Sequence, residues 1–272
     1  MSHFGETVIT PGDGLTPVEL TAVTKALSDP NSLLKAWYDK SILSGNRIEE
    51  IQIKGLKMFG PKIGFWFIDT IFRDSKNRIV PGTVFLRGDS VASLIVIEEE
   101  EEEEDDCGSK RKREEDWKPT YHTVFVEELK APAGCKIKQI PAGMLDGSNK
   151  LGGKMFDEIK EETGLELRPT EPIDCESIMP RMPLDTLISL GSFAPSIGGC
   201  EEIIHMFAYF TKMTSSQIAT INLSTQGRVD ENENIIVHVV PLTWKTIFQS
   251  GDSKAGMAAA KLNYYFPGYI CS

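Results

Sequence analysis

Between Ile51 and about Val96 the chain reads as a series of strands. IQIKGLKMF, IGFWFIDTIFR, GTVFLRG and VASLIVIE are rich in β-branched and aromatic residues and are parted by Gly, Pro and Asn turns. Ahead of them, Thr16-Pro17-Val18-Glu19 has the form of a capping box with proline at the first helical position, and the helix it opens should end before Pro30. A second short helix is expected from Leu33 to about Tyr38, and both read as peripheral. Further on, YHTVFVEEL, LISLGSFAPS, IIHMFAYFTK and ENIIVHVVPL are strand-like. RPTEPIDCESIMPRMPLD suggests a loop with a short helix; other helices are expected before Gly164, near Leu242 and from about Lys254 to Leu262. Strands alternating with helices in this way imply an α/β fold, an α/β/α sandwich around a mixed sheet. His205 and His238 fall within apolar strands and read as packing residues.

Charge changes this picture in one place. Residues 98–116 hold 12 of the 40 acids but only 4 of the 29 bases, and so supply most of the net charge of −11. The remaining residues carry 28 acids and 25 bases, which leaves no general basic surface for nucleic acid. A run of this composition cannot bury enough apolar surface to order itself, so it reads as a disordered insertion at a hairpin tip. Its Lys110–Arg113 stretch has the composition of a nuclear import signal as well as of a solubilising tract. Five dispersed cysteines without CxxC spacing imply reduced thiols and no zinc site. With neither a secretory signal nor an apolar run of ~18 residues, the expected location is cytoplasmic, with no membrane partner.

The chemistry concentrates in PAGMLDGSNKLGGKMFDEIKEETGL, from Pro141 to Leu165. Glu158, Glu161 and Glu162 stand at i, i+3 and i+4 on one helix, where like charges cost roughly 0.2–0.5 kcal/mol per pair. Asp157 adds a fourth acid. A hard divalent cation such as Mg2+ turns that repulsion into ligation, because it prefers carboxylate and carbonyl oxygens.

This stretch resembles the Nudix box, Gly-x5-Glu-x7-Arg-Glu-U-x-Glu-Glu-x-Gly-U, with U a bulky apolar residue. Gly143, Glu158, Ile159, Glu161, Glu162, Gly164 and Leu165 fall in register. Two positions depart: the first Glu of the pattern is Asn149 here and its Arg is Asp157. In the family these two pair with each other, so losing both strands neither charge. A second resemblance, to plant-type ADP-sugar diphosphatases, is carried by GLKMFGPKIGF, VPGTVFLRG, PAGMLD and PSIGGCEE. It implies an N-terminal antiparallel sheet region in residues 1–88, exchanged across a homodimer, and a Nudix domain in residues 89–272.

The same resemblance implies the site. Glu158, Glu161, Glu162, the carbonyl of Ala142 and Glu202 would hold Mg2+, with Mn2+ as the other candidate. GRVDENENIIVHVV resembles a late acidic loop of bacterial ADP-ribose pyrophosphatases, which implies that Glu231 or Glu233 would serve catalysis with Glu161; plant-type relatives match only Glu233. Lys130, where the family places an arginine, contacts phosphate as a point charge without the bidentate fork. Arg87 either faces the substrate or pairs at the surface, and Gly198 with Gly199 allows close backbone approach. The implied reaction is hydrolysis of the diphosphate of a nucleoside diphosphate sugar, ADP-ribose or ADP-glucose, to AMP and a sugar phosphate. Asn149 and Asp157 leave a second reading open, a weakened Nudix-fold factor that binds a nucleotide or a protein.

Overall fold

The computed structural model describes residues 2–100, 120–145, 151–175, 184–228 and 233–271. Most of the acidic run with Lys110–Arg113, Asn149, the central part of the proline-rich stretch and Glu231 lie outside them. The chain divides into two units, one of residues 1–89 with 194–203 and one of residues 90–193 with 204–272.

The first unit is built on a five-stranded sheet in the order β1 (Ser2–Phe4), β2 (Thr7–Pro11), β3 (Arg47–Phe59), β4 (Lys62–Arg73) and β5 (Ile79–Leu86). The expected sheet is antiparallel, but β2 runs parallel to β3, while the other neighbours are antiparallel. The reason is covalent reach: α1 (Pro17–Ser28) and α2 (Leu33–Leu43) lie between β2 and β3, and such a crossover can return a strand in the same direction. The capping box is present, with Thr16 N–H donating to Glu19 Oε2 at 2.8 Å and Glu19 N–H to Thr16 Oγ1 at 3.3 Å. α2 continues past Tyr38 until Gly45, at φ 80°, turns the chain.

Neither helix is peripheral, contrary to the sequence expectation. Val23, Leu34 and Trp37 are buried with Ile48, Ile51, Ile53, Trp66, Ile68 and Leu86, so the helices form the cover of one sheet face. Each such side chain contributes roughly 1.5–3 kcal/mol by leaving water. Along β4 the period of two sends Trp66 inward and Phe67 outward, 1% and 44% exposed. On the outward side Phe59, Phe65, Phe85 and Phe67 form a row with successive ring centroids 5.0, 5.2 and 4.9 Å apart.

In the second unit the central path of the sheet is β10 (Ile173–Asp174), β11 (Thr186–Phe193), β12 (Ile204–Thr214), β6 (Ser90–Glu100), β7 (Tyr121–Lys130), β14 (Ile235–Pro241) and β13 (Thr225–Gln226). Off that path, β8 (Cys135–Gln139) pairs with β7 and β9 (Ala142–Met144) with β6. β6 lies parallel to β12 from Ser90 opposite Ile204 to Glu100 opposite Thr214, whereas β7 pairs with it near Ile97 and Glu98. Val91 to Ile97 are all buried, which is why this strand reads as a continuous apolar run and not as an alternation.

One face of the sheet carries α3 (Leu151–Thr163) and α4 (Ser215–Ile221); Met155 and Ile159 are buried there with Val91, Ile95, Val124 and Val237. The other carries α5 (Trp244–Ser250) and α6 (Ser253–Tyr265); Ile247, Ala255, Ala258 and Leu262 are buried there with Leu94, Val96 and Phe125. The three layers are those of the expected α/β/α sandwich.

Candidate active site

The buried face of α3 is made of Met155, Glu158, Ile159, Glu162 and Thr163. The apolar pair anchors the helix to the sheet, and the same spacing carries two carboxylates into the structure beside it. Room for the first exists because residue 143 is glycine. A Cβ on Gly143 would stand 1.9 Å from the carboxyl carbon of Glu158. β9 holds that backbone in place, with Gly143 opposite Val91 of β6. At the other end of the helix Gly164, at φ 72°, turns the chain away and lies against Gln226.

Each buried acid has a partner. Glu158 Oε1 takes the Lys154 ammonium at 2.6 Å, one helical turn earlier. Glu162 Oε2 accepts the N–H of Ala142 at 2.9 Å. Burial pushes the Glu158 carboxyl up; Lys154 pulls it back, and the charges of Glu161 and Glu233 add to the rise. Burial holds Glu162 well above 4.5, with the Ala142 N–H opposing it and the charge on Glu158 reinforcing it. Lys130 lowers Glu162 and Glu128 raises it, which puts both β7 side chains within electrostatic reach of the helix. The Lys130 ammonium rests on Glu128 Oε1.

Of the late acidic loop, Glu233 is described and Glu231 is not. Glu233 Oε2 accepts the N–H of Arg228 at 3.0 Å, and Gly227 N–H donates to the carbonyl of Glu161 at 3.2 Å, tying the loop to α3. Lys130, Ala142, Glu158, Glu161, Glu162 and Glu233 are thus brought to one region. Asp157 is exposed.

The remaining expected residues belong to the first unit. Arg87 Nη1 stands 3.5 Å from the buried Glu202 Oε2, and its guanidinium lies over Phe65 at 5.9 Å. Gly198 and Gly199 are exposed, and a Cβ on either would meet nothing within 4 Å. Neither takes a positive φ, so the chain itself does not demand glycine there.

The donors on α3 suit a hard divalent cation: they are carboxylates, two of them are desolvated, and one already draws a side-chain ammonium. Among the described residues no group of three or more Asp, Glu, His or Cys side chains is arranged to hold an ion; Glu158 and Glu162 are engaged with Lys154 and Ala142. The sequence reading missed Lys154, although its place four residues before Glu158 is the spacing of a helical ion pair. It missed Glu128 and Gln139 too, because cross-strand neighbours depend on register. His238, read as a packing residue, has Nε2 3.2 Å from Glu127 Oε2, on the face opposite α3; its pKa is lowered first by burial.

Burial of Glu162 has a pH signature. Its folded pKa lies above 4.5, so the folded state binds that proton more tightly than the unfolded chain does, and stability falls as pH rises from about 4.5 through the raised value. In EDTA, Glu162→Gln should therefore melt higher than the parent near neutral pH and lose less on the way there. Calorimetric scans across that range measure it; parallel pH profiles for the two proteins would contradict the assignment.

No family model matches the chain. Nudix hydrolase 14, chloroplastic, of Arabidopsis thaliana is 31% identical to it over 256 residues, covering 88% of this chain and 75% of that protein. A solved structure described as an ADP compounds hydrolase aligns over 82% of this chain and 97% of its own at a TM-score of 0.48 and 10% identity. The similarity to the curated plant protein is sufficient in extent and identity to decide the family: the chain belongs to the Nudix hydrolases.

Proposed function

We propose that this Nudix hydrolase cleaves the diphosphate of an ADP-sugar, ADP-ribose or ADP-glucose, to AMP and a sugar phosphate with Mg2+ as cofactor. The observation that carries the reading is the pair of buried carboxylates, Glu158 and Glu162, held beside a glycine strand that leaves room for them. Two desolvated acids one turn apart weaken the fold when alone; a divalent cation and the phosphates it brings would offset their charge. Bound Mg2+ neutralises diphosphate oxygens and lowers the pKa of a bound water.

The side chains divide the remaining work. Glu158 and Glu162, with Glu161 and the Ala142 carbonyl, are the proposed ligands. Glu233 is the proposed proton acceptor, supported by its electrostatic coupling to Glu158. Lys130 is the proposed phosphate contact. In the first unit, Arg87 and the exposed backbone at Gly198 and Gly199 are proposed substrate contacts, with Glu202 as a further acid. The choice of ADP-sugars rests on the resemblance of PSIGGCEE and its companion segments, and the hydrolase reading on the family.

A homodimer is also proposed. The outward face of the first unit's sheet displays Phe59 and Phe67 at 43% and 44% exposure, in an aromatic row that a second copy would cover. A cytoplasmic location is proposed from the free thiols at Cys135, Cys175, Cys200 and Cys271. No helix among the described residues is long and apolar enough to cross a membrane.

Wild-type protein with Mg2+ should release AMP from ADP-ribose or ADP-glucose, measured by coupled phosphate release or chromatography. Gly143→Ala should keep its melting temperature, because the new methyl meets only the far end of a flexible glutamate. Its turnover should drop by more than ~10-fold, ~1.4 kcal/mol in barrier. Full activity in that variant would remove Glu158 from the machinery, and wild type inert on ADP-, UDP- and GDP-sugars would favour the binding-factor reading. For the dimer, sedimentation at micromolar concentration should give twice the chain mass for wild type and the monomer for Phe67→Glu. A wild-type monomer would end that proposal.

A further inference from the structure

α6 begins at Asp252, whose carboxylate is 4% exposed and occupied at both oxygens. Oδ2 accepts the N–H of Ile140 at 3.0 Å. Oδ1 caps the helix through the Lys254 N–H at 3.0 Å and takes the Lys254 ammonium at 2.9 Å. That ammonium also donates to Gln139 Oε1 at 3.3 Å. The other end of the same amide, Gln139 Nε2, donates to Glu128 Oε1 at 3.3 Å, the oxygen on which the Lys130 ammonium rests. The path runs from the buried start of a helix to an ammonium that is 40% exposed.

The geometry points to Gln139 as a positioning residue for Lys130, acting through Glu128 and anchored through Lys254 on Asp252. The two ends of an amide differ: the carbonyl only accepts and the NH2 only donates. A cation on one side and an anion on the other therefore fix its orientation, and Gln139 becomes a rigid spacer between two charges. Glu128, held from behind, presents a fixed oxygen to Lys130. A lysine has a flexible stem and loses rotamer freedom whenever it is held, so a preset partner lowers what substrate must supply. This inference rests on the reading of Lys130 as a phosphate contact.

A purely structural Gln139 would move the melting temperature and nothing else, so the test reads binding. ADP-ribose is titrated calorimetrically into the full-length protein in EDTA, and KM and kcat are measured separately with Mg2+. Variants are Gln139→Met, Lys130→Met and the two together. Gln139→Met should weaken binding and raise KM by about 3- to 10-fold, the net worth of one hydrogen bond, with kcat nearly unchanged. In the Lys130→Met background it should add nothing further. Should Gln139→Met fail to fold, Lys254→Met takes its place with the same expected coupling, since Asp252 keeps the main-chain N–H groups of residues 140 and 254. Wild-type binding in the single variant, or losses that multiply in the double variant, would overturn the relay alone. Wild type that neither binds nor cleaves ADP-ribose or ADP-glucose would overturn the functional reading and the relay with it.

Discussion

The site depends on a conflict within one helix. α3 must bury Met155 and Ile159 to hold the sheet, and the spacing that buries them also buries Glu158 and Glu162. Water is thereby removed from two carboxylates that repel each other, and their pKa values rise as a result. The surrounding structure limits the damage by specific means: Gly143 clears space, the Ala142 N–H and the Lys154 ammonium supply partial positive charge, and β9 is pinned to β6 so that both stay in place. None of these removes the conflict, because a single N–H or one ammonium satisfies a carboxylate only in part.

The sheet explains why the conflict is tolerable. β6 is buried on both faces from Val91 to Ile97 and pairs with β12 along its whole length, so the platform beneath α3 is enclosed. α3 contributes its apolar residues to one side of that platform, while α5 and α6 contribute Ile247, Ala258 and Leu262 to the other. Stability drawn from those layers can carry a few unfavourable groups. The acids sit on a helix anchored to that platform by Met155 and Ile159, where packing gives rigid placement.

Where local chemistry decides structure, the sequence was readable. The capping box at Thr16, the aromatic strands and the helix closed by Gly164 all declare themselves in a few adjacent residues. So did the glutamates, whose spacing alone puts them on one face. What stayed hidden depends on register or on distant partners. β2 running parallel to β3 requires knowing that α1 and α2, which connect them, pack on the sheet, which their ordinary amphipathic pattern did not reveal. Gln139 lies opposite Val126 and touches Glu128 diagonally, a relation that no single segment encodes. At Gly198 and Gly199 no protein atom lies within 4 Å of where a side chain would stand, so the packing of the chain does not account for glycine there.

Of the two departures in the box, the one at Asp157 can be weighed on the same physical scale. Asp157 is exposed, one step around the helix from Glu158, where an acid keeps its water and costs little. An arginine absent from such a position leaves no buried charge behind. Glu158 and Glu162 are the opposite case: packing gives no return for a desolvated carboxylate, and an apolar side chain of similar size would remove the repulsion and stabilise the helix. At Asp157 the sequence therefore differs from the family pattern where a change is cheap, and at Glu158 and Glu162 it agrees where agreement is expensive. A protein that only needed the fold would have no physical use for those two acids, so their presence in the buried face of α3 points to a role for them beyond holding the fold.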